Sequence, residues 1–209
     1  MKTSYLRGKL LLLGCFVATG GFHVQAASIP VTGGMTTVDL DSGTVTALTN
    51  AGIAVSPVGT ATLSGLTATF PITGGSIDWS TYNAVIRHDG SGLALKEGSS
   101  VLDLTDFLIT ANLNTQTGVL SGTVTEGAVN LTGVPLFNIG SGFALTLTSQ
   151  AGGALHTYFG IPDFTGAPIG IAHVNPTLAP EPLSAGLAAL AFALLFGVRF
   201  AQRRSAAQA

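Results

Sequence analysis

Only one cysteine, Cys15, occurs among the 209 residues, and it sits in the N-terminal stretch. That excludes an intrachain disulfide framework and the paired-cysteine motifs of redox or zinc sites. Charge is nearly as scarce: 9% of residues are Asp, Glu, Lys or Arg, so where they lie matters more than the net −2. Six of the eight bases (Lys2, Arg7, Lys9, Arg199, Arg203 and Arg204) fall in the two termini. Between Ala27 and Ala179 only Arg87 and Lys96 oppose nine acids, which leaves that body near −7. A body of that sign offers phosphates no counter-charge, so nucleic acid is not an expected partner.

Catalytic patterns are missing as well. The chain has neither a G-x-S-x-G elbow nor a P-loop. Asp103 and Asp106 are its closest carboxylates in an expected strand, and strict alternation would point them to opposite faces, unable to share a substrate. His88, His156 and His173 have no local partner at ligand spacing, so no metal site is expected. His156 should be solvated and His173 half-buried near the end of a strand. Asp89-Gly90-Ser91-Gly92 has the composition of a hairpin turn, with too few spaced oxygens for a calcium loop. Asn130-Leu131-Thr132 is a formal glycosylation acceptor of a kind common by chance. No catalytic residue is assigned, and a non-enzymatic role is expected.

What is present is easiest to read at the ends. Lys2, Arg7 and Lys9 make a basic n-region, Leu10 to Val17 an apolar h-region, and Val24-Gln25-Ala26 a small-x-small cleavage site. These are the three parts of a secretory signal over residues 1–26, with a mature chain beginning at Ala27 after a cut behind Ala26. Leu12-Leu13-Gly14-Cys15 also resembles a lipobox. Only four apolar residues precede Gly14, however, and the apolar stretch runs past Cys15, which favours ordinary cleavage and loss of the only thiol.

At the other end, Leu183 to Val198 is a 16-residue run without charge, short of the roughly 20 that span a bilayer squarely. Arg199, Arg203 and Arg204 follow it, and positive charge holds such an end in the cytoplasm. Pro180-Glu181-Pro182, an apolar helix and a terminal Arg cluster, in that order over residues 180–204, resemble the PEP-CTERM sorting signal. The resemblance implies a Gram-negative exporter of exopolysaccharide and an exosortase that cuts at the motif. It also implies transient insertion in the inner membrane, and final residence at the cell surface or in the extracellular matrix. Residues 205–209 are then a short tail. Exosortase, the secretion machinery and exopolysaccharide are the implied partners.

The body, residues 27–179, is long enough for one core. Thr-rich apolar alternation marks strands at Thr60–Ile72, Ser76–His88, Gly92–Lys96, Val101–Ala111, Val119–Thr125, Val129–Phe137, Phe143–Thr148 and Ile169–Val174. Two short helices interrupt them. One starts at Asp41 or Ser42, carries Val45 and Leu48 and closes at Gly52. The other, capped by Ser149, places Ala151, Ala154, Leu155, Tyr158 and Phe159 on one face and ends at Gly160. The pentapeptide Ser-Gly-Thr-Val-Thr occurs at Ser42 and at Ser121; flanking caps make the first helical and the second a strand. The expected fold is mainly β, a single antiparallel β-sandwich or barrel-like domain with two short helices.

"IRHDGSGLALKEGSSVLDLTDFLIT" followed by "GVLSGTVT", and later "FALTLTSQAGGALHTYFG", resemble the β-rich surface domains of the HtaA type. Some of those domains bind haem through Tyr and His, and the resemblance puts His88 where the family's histidine falls. The family's opening Trp-and-Tyr motif has no counterpart, because no aromatic occurs between Thr36 and Thr60. A tyrosinate is a natural axial ligand for ferric haem, leaving Tyr82 or Tyr158 as substitutes. Two readings result: a structural or interaction protein of the envelope or exopolysaccharide matrix, needing no cofactor, and a haem-binding surface module that would use His88.

Overall fold

The structure is a computed structural model and describes residues 28–180. The signal segment with Ala26 and Ala27, and the sorting segment from Glu181 through Pro182, Arg199, Arg203 and Arg204, lie outside the described residues. Among the described residues no helix is long and apolar enough to cross a membrane.

The strands are β1 (Ile29–Leu40), β2 (Ala54–Gly59), β3 (Thr62–Ser64), β4 (Thr67–Pro71), β5 (Gly74–Asp78), β6 (Asn83–Glu97), β7 (Ser100–Asn112), β8 (Thr117–Glu126), β9 (Val129–Gly140), β10 (Ala144–Leu147) and β11 (Pro168–Leu178). Helix α1 (Ser42–Asn50) follows β1, and α2 (Ser149–Phe159) separates β10 from β11. All pairings are antiparallel, and β5-β6-β7-β8-β9-β10-β11-β1 return to β5 as a closed ring of eight strands. Of the two expected architectures, the closed ring is the barrel. Closure leaves these strands without the unpaired edges that invite aggregation. β5 is short, so β1 and β6 part beyond it. The freed half of β1 takes β4 and then β3, while the freed half of β6 takes β2.

Side chains alternate as the pleat demands. On β6, Ala84, Ile86 and His88 face the interior; on β7, Phe107, Ile109 and Ala111 do. Phe70 of β4 meets Phe107 edge-on at 5.3 Å between ring centres, the arrangement aromatic quadrupoles favour. Close strand approach is bought by glycine at Gly75, whose φ is +138° and where a Cβ would sit 2.0 Å from the Val85 carbonyl oxygen. Helix α2 buries Ala151, Leu155 and Phe159. Ala151 and Leu155 pack against Leu102, Leu104 and Leu136.

Both helices form where their caps direct. Asp41 Oδ1 accepts from the Thr44 N–H at 2.8 Å, and the C-terminal turn of α2 ends at Gly160 in a left-handed conformation. The cap of α2 is Thr148 rather than Ser149: its Oγ1 accepts from Ala151 N–H at 3.1 Å and donates to the Pro135 carbonyl at 2.8 Å. The two copies of Ser-Gly-Thr-Val-Thr do diverge, the first inside α1 and the second inside β8.

Other boundaries differ from the sequence reading. Residues 29–40 and 54–59 are strands that alternation had not marked. Thr60–Ile72 is a hairpin that folds at Gly65 (φ +60°), and Ser76–His88 breaks at a turn over residues 79–82. Asp89-Gly90-Ser91-Gly92 is not a hairpin. β6 runs through it with a bulge between His88 and Gly92, facing a matching irregularity between Thr105 and Leu108 of β7. Asp106 joins the two: its carboxylate accepts from the Gly90 N–H at 2.8 Å. That bulge also upsets strict alternation, so Asp106 is exposed and Asp103, between buried Leu102 and Leu104, faces outward too.

Candidate functional site

His88 is 1% exposed, the only titratable side chain buried among the described residues. Its Nδ1 lies 3.2 Å from the Phe107 carbonyl, and its Nε2 lies 2.8 Å from Thr36 Oγ1. A carbonyl can only accept, so Nδ1 carries the proton and donates. In the neutral ring Nε2 then accepts from the Thr36 hydroxyl. Burial pushes His88 below its ordinary value of 6.5, outweighing the opposite pull of the Phe107 carbonyl and of Asp89. The ring is held neutral, polar and fully bonded. Phe70 closes over it edge-on, 6.3 Å between ring centres.

Around this pair is a cavity of about 30 Å³, walled by Val38, Phe70, Leu93, Phe107 and other apolar side chains. That holds a water or so; a pocket for a drug-sized ligand runs to roughly 300–1,000 Å³. A second, larger space opens at the barrel end where the 79–82 turn, the β7–β8 turn and a 3-10 turn at Ser141–Phe143 gather. This cleft measures about 230 Å³ and is lined by apolar side chains, with Trp79 and Phe143 among them. Ile109, Leu145 and Ala172 line both spaces, so the two are successive parts of one interior.

The other residues singled out in the sequence do not join His88. Tyr82, 47% exposed, sits in the 79–82 turn rather than on the inner face with Ala84 and Ile86. Tyr158 Oη donates to the Val101 carbonyl at 3.4 Å, beside α2. His156 is exposed, as expected, and its Nδ1 contacts the Ile161 carbonyl. His173 is not half-buried: it is exposed and pairs with Asp39 at 3.4 Å on the surface, where an ion pair contributes little. Asn130 is exposed on β9. Among the described residues no three His, Cys, Asp or Glu side chains converge on a metal-sized space.

Sequence reasoning missed Thr36, which stands 52 residues from His88 and carries no local signal. It missed the cleft for the same reason, since β5, β6, β7, β9, β10 and β11 each contribute to it. Trp79, the only tryptophan of the chain, is the one signal that was available.

No protein-family model and no curated protein matches the chain. Among solved structures it is similar to the C-terminal domain of HtaA from Corynebacterium glutamicum, at a TM-score of 0.57 and 13% identity. That match covers 73% of this chain and 100% of the other. It is also similar to the heme binding protein HtaB from the same organism, at a TM-score of 0.45 and 10% identity, over 74% and 99% of the two chains. The first similarity is one of fold: the β-rich body is HtaA-like.

Proposed function

We propose that the chain is an exported, non-enzymatic binding module displayed at the cell surface or in the extracellular matrix, built on an HtaA-like barrel. One observation carries this reading: a closed ring of strands encloses an apolar interior that holds one buried polar pair and opens at one end. Small-barrel interiors of this kind take single ligands when side chains do not fill them. An enzyme would need an acid, base or nucleophile aimed at a substrate, whereas the buried His88 is fully engaged by Thr36 and Phe107.

Export and processing rest on the order of parts in the sequence. The barrel supports them in one respect. Its last backbone bond runs from Ala179 N–H to the Pro30 carbonyl at 2.9 Å, and exposed Pro180 follows directly. A cut by exosortase at Pro180-Glu181-Pro182 would leave the barrel whole. Signal cleavage between Ala26 and Ala27 would likewise spare β1, which starts at Ile29. Exopolysaccharide is the partner this reading supplies on the outside.

Haem is the ligand that the HtaA resemblance implies, and His88 lies inside the barrel where such a ligand could be met. The residues present do not fit that group. Nε2, the nitrogen that would ligate iron, accepts the Thr36 hydroxyl proton. The cavity beside it is about 30 Å³, and neither Tyr82 nor Tyr158 lines it. Haem ligation by His88 would require the Thr36 bond to break and the Phe70 wall to open. Titration of the exported protein with haemin decides the matter. The geometry predicts no saturable Soret shift that depends on His88; a one-to-one shift abolished by His88→Ala would establish the haem-binding reading instead.

A further inference from the structure

The cleft at the barrel mouth lies beyond the His88 pair and is much the larger of the two spaces. Its volume is about 230 Å³. An engineered apolar cavity of about 150 Å³ stays dry and takes up benzene, and drug-sized ligands occupy roughly 300–1,000 Å³. The space therefore suits one ring or a short hydrocarbon chain. No titratable side chain lines it, and the surrounding body carries nine acids against two bases. A buried charge would go unpaired and an anion would be repelled, so the fitting ligand is neutral.

The rim is fixed rather than loose. Asp78 Oδ1 accepts from the Ser80 N–H at 2.8 Å and from its hydroxyl at 2.6 Å, which holds the turn that presents Trp79. Asn112 Nδ2 donates to the Thr81 carbonyl at 3.0 Å, and Gln116 Oε1 accepts from the Gly142 N–H at 2.9 Å. These bonds lace three separate turns together. Three of the four non-glycine residues with left-handed backbone among the described residues lie here: Tyr82 (φ 59°), Gln116 (φ 54°) and Phe143 (φ 58°). Each such conformation is strained for a residue with a Cβ and persists only where its surroundings impose it, a feature that gathers at ligand clamps. Trp79, 49% exposed, stands over the opening.

We propose that this mouth binds one neutral apolar small molecule, a single aromatic ring system or a short hydrocarbon chain, between Trp79 and Phe143. The proposal rests on the binding-module reading and names its ligand class, while owing nothing to haem.

The probe is 6-propionyl-2-(dimethylamino)naphthalene, neutral, fluorescent and built on one ring system, titrated into the full exported protein without detergent. One-to-one uptake is expected, with energy transfer from Trp79. The anionic 5-(dimethylamino)naphthalene-1-sulfonate should bind at least about tenfold more weakly, because its sulfonate would be desolvated unpaired. Val174→Phe fills a half-buried wall position at the mouth and Ala111→Leu fills an inner one. Each should weaken the neutral probe about tenfold. Trp79→Phe removes the only tryptophan and should abolish the energy transfer. Absence of saturable uptake overturns the proposal, as does equal affinity for the anion or binding indifferent to both filling variants. Lack of uptake with Trp79 emission already blue-shifted would also overturn it, assigning the cleft to a second copy or to the segment after Leu178. A failed probe leaves the wider module reading to be judged separately, by what the protein carries when isolated from cells.

Discussion

Replacing Thr36 with valine keeps the shape of the side chain and exchanges one hydroxyl for a methyl group. Nε2 of His88 would lose its donor in a site 1% exposed. A water could not take over well. The cavity of about 30 Å³ has room for one, since roughly 10–15 Å³ suffices, but a buried water wants two to four polar partners. The remaining walls are apolar. Leaving one buried polar atom unpaired costs about 1–3 kcal/mol, which for a domain of this size lowers Tm by roughly 2–12 °C. Thermal unfolding followed by far-ultraviolet circular dichroism measures it, with Thr37→Val on the other face of β1 as control, expected within about 0.5 kcal/mol of the parent. His88→Leu and the double variant complete a cycle. The double variant removes the hydroxyl–imidazole pair together, so a coupling of about 0.5–3 kcal/mol is expected. A Thr36→Val protein within about 0.5 kcal/mol of the parent, or a cycle with no coupling, would refute the pair as a bonded unit of the core.

His88 also sets a pH dependence. Its folded pKa lies below its ordinary value of 6.5, so the unfolded chain binds the proton first. Its contribution is intact above about 6.5 and is lost as the pH falls toward the folded pKa, by up to about 1.4 kcal/mol per pH unit. Urea unfolding between pH 7 and 5 should show that slope in the parent and a flatter one in His88→Leu. Gly75→Ala, at φ +138° with the Val85 carbonyl 2.0 Å from the new Cβ, should lower stability by more than about 1 kcal/mol in the same urea assay. Thr148→Ala removes both the cap of α2 and the donor to the Pro135 carbonyl, and should cost about 0.5–2 kcal/mol.

The parts of this fold that were legible in the sequence are those fixed by local chemistry. Asp41 and Gly160 punctuate their helices in three or four residues, and enough apolar alternation survives on β7 to β9, despite their bulges, to mark them as strands. β1 was hidden because its inward positions include Thr36 and its middle is Gly33-Gly34-Met35, which breaks the apolar rhythm. The turn after β5 was hidden because Trp79-Ser80-Thr81-Tyr82 contains no glycine or proline, and Tyr82 takes the left-handed position that glycine would have advertised. Asp89-Gly90-Ser91-Gly92 misled in the opposite direction. Its composition is that of a turn, but Asp106 holds it as a bulge in a continuing strand. The site was the least legible part. His88 could be picked out by type, whereas its partner and the cleft exist only once eight strands close into a ring.

The most direct measurement of the binding-module reading is native mass spectrometry of the protein isolated from cells that export it. The expected result is a chain that begins at Ala27, ends in the Pro180-Glu181-Pro182 region and carries one small apolar molecule. That molecule should be released on denaturation and depleted in Val174→Phe. A bare chain that takes up no ligand when offered one would contradict the reading, whereas a bound molecule indifferent to that substitution would contradict only its placement in the barrel mouth.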